Sequence, residues 1–240
     1  MAKKSKNYRE AVAKIGDGVF APIDAFDKLK EVKTAKFDET VEAHFRLGID
    51  TRKADQQLRG TVSLPNGSGK TVRVAVFAEG EAARAAQEAG ADIVGSDDLV
   101  ADIQAGIIEF DAAVATPDQM SKVGRLGKIL GPRGLMPNPK LGTVTPDVAK
   151  AINELKGGRV EYRADRYGIA HVVIGKTSFT SEKLAQNYGT VYDEVLRNKP
   201  ATAKGKYVKS ITIASTMSPG IPVDPSVQRN YDVRTEAAAE

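Results

Sequence analysis

Hydrophobic spacing changes its period twice along this chain of 240 residues. Over residues 40–49 polar and apolar positions alternate: Val41, Ala43, Phe45, Leu47 and Ile49 share one face, and Glu42, His44 and Arg46 the other. A two-residue period describes a strand with one buried and one wet face. Residues 72–78 are instead almost continuously apolar, the pattern of a strand buried on both faces in a parallel sheet. From Arg159 the alternating style returns, with Val160, Tyr162 and Ala164 on one face. The simplest chain path places both termini in one α+β domain, residues 1–67 and 159–240. Residues 68–158 are then an inserted Rossmann-like α/β domain. The two crossings, near 65–70 and 156–159, are glycine-rich.

Finer periodicity fills in the elements. Residues 5–15 and 22–34 are expected as helices, and 58–64 as a second strand. In the insert, short strands at 91–94 and 111–115 alternate with helices at 81–89, 96–105 (Ser96 as cap) and 147–155. Near the C-terminus a turn at 165–168 leads into a return strand at 169–174. An amphipathic helix follows at 181–197, then a strand at 206–217 and a loop or edge strand at 219–225; the tail from Thr235 is expected to fray.

Composition removes several classes of function. There is no Cys, so disulfides, thiolate metal sites and cysteine catalysis are excluded. Two His far apart in sequence do not form a paired-imidazole metal motif, so neither metal nor cofactor is expected. No apolar run is long enough to span a membrane, and residues 1–10 carry Lys without the apolar segment of a secretory signal; a cytoplasmic protein without membrane association is expected. Net charge is +4, with the two terminal parts basic and the middle slightly acidic. Within the middle, residues 79–118 hold ten acidic residues and one basic, whereas 122–140 hold five basic (Lys122, Arg125, Lys128, Arg133, Lys140) and no acidic residue. One-signed charge over such a stretch points to a polyanionic partner.

Two apparent motifs fail on context. Gly67-Ser68-Gly69-Lys70-Thr71 resembles the end of a phosphate-binding loop, but the required earlier glycine is Leu64 and the strand follows the glycines instead of preceding them. It is a turn. His44 and His171, beside Glu42 and Lys176, have no nucleophile motif to serve, so they belong to a surface or binding face. A nucleotide-dependent enzyme on the insert therefore lacks both fingerprint and catalytic pair.

Residues 121–145 are different. Five Gly and three Pro prevent any single regular element. Glycine lets backbone approach another surface, proline lowers the entropy lost on docking, and Arg and Lys pair with phosphates and release condensed counterions. Val123, Leu126, Ile129, Leu130, Leu135 and Met136 are placed to anchor this loop to its own domain.

That segment closely resembles the signature of the family of the first protein of the large ribosomal subunit, the side-stalk protein. The resemblance extends over Lys36-Phe37-Asp38-Glu39-Thr40-Val41-Glu42, Leu47-Gly48-Ile49-Asp50, Arg59-Gly60-Thr61-Val62-Ser63-Leu64-Pro65, Gly175-Lys176-Thr177-Ser178-Phe179 and Ser215-Thr216-Met217. It implies a two-domain, non-enzymatic protein, monomeric when free, that binds large-subunit (23S) ribosomal RNA. It further implies a role in the mobile stalk and in release of deacylated exit-site tRNA, and repression of its own operon by binding that mRNA. The implied RNA contacts are Lys36, Phe37, Thr40, Glu42, His171, Lys176, Ser178, Thr216, Met217 and Ser218 in the terminal domain, and Arg125, Lys128, Arg133 and Lys140 in the insert. Hydroxyls suit 2′-hydroxyls, and lysines suit phosphates. Phe37 and Met217 pack against ribose or base faces on this reading, or fill core positions on the alternative one. The family usually has Gly where Ser218 stands, which is expected to reshape that contact.

Overall fold

The computed structural model describes residues 5–227 and 231. Of these, residues 5–69 together with 160–227 and Tyr231 form one compact unit; Lys70–Arg159 form another.

In chain order the first elements are α1 (Lys6–Ile15), α2 (Pro22–Glu31), β1 (Thr40–Leu47) and β2 (Arg59–Ser63). The inserted unit holds β3 (Val74–Phe77), α3 (Gly80–Glu88), β4 (Ile93–Gly95), α4 (Asp97–Gln104), β5 (Ala112–Ala115), the short helices α5 (Met120–Val123) and α6 (Gly127–Leu130), and α7 (Val148–Lys156). The chain then returns through β6 (Arg159–Arg163), β7 (Ile169–Lys176), α8 (Ser181–Arg197), β8 (Val208–Ser215) and β9 (Ile221–Val223).

The first unit is built on an antiparallel sheet of order β7-β1-β8-β9. Its central strand follows the alternation seen in the sequence: Val41, Ala43, Phe45 and Leu47 are buried, and the even-numbered residues face outward. α2 and α8 cover the buried face. α2 starts at Pro22, whose fixed φ suits a first helical turn, and Thr180 caps α8 by accepting from Lys183 N. The core between layers is aromatic: Phe45 stacks with Tyr188 and Tyr192, all at centroid separations of 5.9 Å, and Phe26 meets Tyr188 edge-on. Because α2 and α8 lie on one side only, no helix among the described residues covers the outer face of β7, β1 and β8.

The expected return strand behaves differently from a simple hairpin. The 165–168 turn forms, with Asp165 Oδ1 accepting from Tyr167 N and Ile169 N at 2.8 Å each. Beyond one bridge between Ala164 and Ala170, however, β6 leaves β7 and pairs with β2 in a separate ribbon. Two contacts select that partner. Arg59 pairs with Glu161 at 2.8 Å. The buried Tyr162 lies against Gly60, where a Cβ would sit 2.6 Å from the phenolic oxygen.

The inserted unit is a three-stranded parallel sheet, β4-β3-β5, with every residue of β3 buried. α3 and α7 cover one face through Ala86, Val148, Ala151 and Ile152. α4 and the 120–130 segment cover the other through Leu99, Ile103, Val123, Leu126 and Leu130. Asp147 caps α7. Ser96 does not cap α4, contrary to expectation: Asp98 Oδ1 accepts from Ser96 N, and the Ser96 hydroxyl lies 2.6 Å from Glu79 Oε1. Among the described residues no helix is long and apolar enough to cross a membrane. The tail from Thr235 lies outside the described residues.

Each unit has its own core, so a chain in which residues 70–159 are replaced by a short flexible linker is expected to fold. Circular dichroism and thermal melting should show one cooperative transition; a non-cooperative, molten product would contradict two separable cores.

Candidate nucleic-acid interface

The segment Lys36–Thr40 enters β1 carrying two adjacent carboxylates, and the period of β1 sends them apart. Glu39 has the inward parity of Val41 and Ala43 and is fully buried. Its Oε2 accepts from Ser215 Oγ at 2.6 Å and from Met217 N at 2.9 Å, so it ties the start of β1 to the end of β8. The Glu39 backbone bonds the other neighbour: its carbonyl accepts from Thr177 N, and its N–H donates to Thr177 Oγ1. Asp38 completes that side. Its Oδ1 accepts from Thr177 Oγ1 and Ser178 N, both at 2.9 Å, and its Oδ2 accepts from Ser178 Oγ at 2.8 Å. Desolvation opposes ionisation of Asp38, but these hydrogen bonds and the nearby Lys176 charge outweigh it and hold the carboxyl below its usual range.

This bracing brings three strand ends together. Thr40 N donates to Thr216 Oγ1 at 3.3 Å, and Lys176 Nζ donates to Thr40 Oγ1 at 2.8 Å. Thr216 thus keeps its hydroxyl proton for an outside acceptor, while Ser178, whose proton goes to Asp38, offers lone pairs. Phe37 and Met217 are 53% and 58% exposed, which rules out the core reading for both. Lys36 is exposed beside them, and Glu42 continues the outer face two residues on. Ser218 closes a turn: its Oγ accepts from Ser215 N at 2.8 Å and donates to Pro219 O. Its hydroxyl is therefore engaged within the turn.

His171 is not part of this cluster. It faces His44 near the middle of the same outer face, and its closest acid is Asp165, at 3.6 Å; Lys176 lies near the far end of β7. The sheet's other end, past Arg46, is basic. Arg46, Arg52, Lys53, Arg166 and Lys209 are exposed there without an ion-pair partner among the described residues. The loop 50–56 is tied to the 165–168 turn by Thr51 Oγ1 donating to Arg166 O. Arg166 lies 4.8 Å over the ring of Tyr167, which is 68% exposed.

In the inserted unit the 121–145 segment is a run of short helical turns followed by a loop. Val123, Leu126 and Leu130 are buried, and Ile129, Leu135 and Met136 pack against them, so the anchoring side chains face inward as their spacing suggested. Arg125, Lys128 and Arg133 are exposed and have no ion-pair partner among the described residues. The side chain of Lys140 lies outside the described residues. Lys122 departs from the expectation of five available cations. Its Nζ donates to Glu79 at 2.8 Å and to Asp97 and Ser96 at 2.9 Å. The hydrogen bond from Lys122, with that of Ser96, pushes the Glu79 carboxyl down to about 2. Lys122 is a clamp between α5 and the acidic helix ends.

Gly124 and Gly127 lie inside helical turns, yet a Cβ at either would meet no heavy atom within 4 Å. Internal packing does not require these glycines, and each costs roughly 0.5–1 kcal/mol relative to Ala. Their effect is to leave backbone bare beside Arg125 and Lys128.

Asp38, Glu39, Thr177 and Ser215 were not among the residues expected at the site. For Glu39 a signal exists in the sequence: a carboxylate at an inward position of an alternating strand must find buried donors. Removing it in Glu39→Ala strands the Ser215 hydroxyl and Met217 N–H, and thermal unfolding should show a loss of about 2–5 kcal/mol. Gly124→Ala and Gly127→Ala should each raise stability by about 0.4–1 kcal/mol. A destabilising outcome would mean that packing, not an outside surface, demands those glycines.

The ribosomal protein L1p/L10e family matches residues 29–219. The large ribosomal subunit protein uL1 of Mycolicibacterium smegmatis is 60% identical over 96% of this chain and 99% of its own length. Its namesake in Corynebacterium diphtheriae is also 60% identical over 96% of this chain, and that of Streptomyces coelicolor is 58% identical over the whole of both chains. Family match and near-complete coverage agree with the two-unit α/β architecture, and this chain belongs to the ribosomal protein L1p/L10e family.

Proposed function

We propose that this chain is a non-enzymatic component of the bacterial large ribosomal subunit, in the cytoplasm, and that its terminal unit binds 23S ribosomal RNA through the outer sheet face at the Thr40 end. The carrying observation is the convergence of Thr40, Lys176, Ser178, Thr216 and Met217 on a hydrogen-bonded frame. Ordering these groups before RNA arrives lowers the entropy cost of docking. A lysine, hydroxyls of both polarities and two exposed apolar side chains suit phosphate, 2′-hydroxyl and ribose or base faces respectively. Lys36, Phe37, Glu42, His171 and Ser218 line the same face or its end, and Arg125, Lys128, Arg133 and Lys140 add contacts from the inserted unit.

Exit-site tRNA is the second RNA partner in this reading, supported by the basic end of the sheet, where Arg166 and Tyr167 offer a stacked cation and ring. A stalk position that helps deacylated tRNA leave follows from holding both RNAs at once. Repression of the chain's own operon uses the ribosomal RNA face, so free protein represses once ribosomal sites are filled.

Thr216→Ala and Met217→Ala should each weaken binding to a 23S stalk-junction fragment by roughly tenfold, about 1.4 kcal/mol, with melting temperature near that of the parent. Lys122→Ala, whose charge is already paired with Glu79 and Asp97, should leave the salt slope unchanged, whereas Arg133→Ala should lower both affinity and the salt slope. Unchanged affinity in the Thr216 and Met217 variants would refute the assignment.

A further inference from the structure

The outer row of β1 carries one residue that the RNA contacts above do not use. His44 lies opposite His171 on β7 and opposite Thr212 on β8. The two imidazoles meet edge-to-face, with Nδ1 to Nδ1 at 2.9 Å. That separation requires one proton between the nitrogens, since two lone pairs or two N–H groups would repel. Asp165 decides which ring supplies it. Its Oδ2 lies 3.6 Å from His171 Nε2. Burial of Asp165 is outweighed by hydrogen bonds from Ile169 N and Tyr167 N and by His171 itself, so it stays ionised below the usual carboxylate range. A carboxylate there favours the proton on His171 Nε2, leaving His171 Nδ1 as acceptor. His44 must then donate through Nδ1–H. Its Nε2 has no partner among the described residues and is not buried.

We infer that His44 is a further contact residue of the RNA face, and that the imidazole pair takes up a single proton at His44 Nε2 when a phosphate docks. The inference rests on the RNA-binding reading above. One added proton at that position keeps the Nδ1 bridge intact and turns an acceptor into a cationic donor; a second proton would break the bridge. The charged groups facing the pair are Glu42 and Arg46 on β1 and Asp165 on the turn; β8 presents Ser210, Thr212 and Ala214, which carry none. Burial and the neighbouring His171 push the free His44 below its ordinary value, against the pull of Glu42. A bound phosphate favours the cation and raises it. The sign follows: the complex binds more protons than the free protein, so affinity rises as pH falls through the bound value and levels off below the free one.

The test uses the full chain. Imidazole nitrogen NMR of the free protein reads the tautomers, with Nδ1–H expected on His44 and Nε2–H on His171. Affinity for a 23S stalk-junction fragment is then measured from pH 7.5 to 5.5 at constant salt. The parent should tighten by about 3- to 10-fold more than His44→Gln, and His171→Gln, which frees His44 from the bridge, should move the midpoint of that rise to higher pH. Equal pH profiles for parent and His44→Gln, or a proton on His44 Nε2 in place of Nδ1 in the free protein, would overturn the inference. A parent that binds the RNA with a flat profile sinks this inference alone; a parent that fails to bind at any pH sinks the RNA-binding reading with it.

Discussion

A buried carboxylate holds the candidate interface together. Glu39 lies where the strand period requires an apolar side chain, and Ser215 at the end of β8 and Met217 just past it deliver two donors to it. Its backbone and the carboxylate of its neighbour Asp38 do the same for the end of β7 through Thr177 and Ser178. Strand ends normally fray and differ in length. Here they are cross-braced, and the exposed groups riding on them inherit fixed positions. Leaving the buried donors Ser215 Oγ and Met217 N without an acceptor is too costly for these ends to separate one at a time.

The inserted unit reaches rigidity by another route. Its 121–145 segment is mostly short turns, so order comes from Val123, Leu126 and Leu130 in the core and from Lys122 clamped to Glu79 and Asp97. The bare glycines between those anchors cost stability with no packing return, as expected where a surface is shaped for an outside partner.

Much of this is legible in the sequence. Alternation over 40–49 gave the correct buried and open faces of β1, because a side-chain period of two leaves no other assignment once one face is apolar. The continuous apolar run of β3 marked a two-sided parallel strand for the same reason. What local pattern could not show was partner choice. β6 and β7 are separated by a good turn, yet β6 pairs with β2 through Arg59, Gly60 and Tyr162, residues far apart in sequence. Ser96 has the chemistry of a helix cap but is drawn to Glu79 and Lys122. Counting charge along 122–140 overstated the free cations by Lys122, whose acids come from segments 25 and 43 positions earlier. Phe37 and Met217 were ambiguous between core and surface because single apolar residues outside a periodic run carry no facing information.

The central claim is that three braced strand ends, and not the helical side of the sheet, receive RNA. Amide hydrogen exchange of the full chain, with and without the 23S stalk-junction fragment, tests it most directly. The account predicts added protection at residues 36–42, 176–178 and 215–218, with α2 and α8 unchanged. Protection confined to α2 and α8, with the three strand ends exchanging as before, would contradict it.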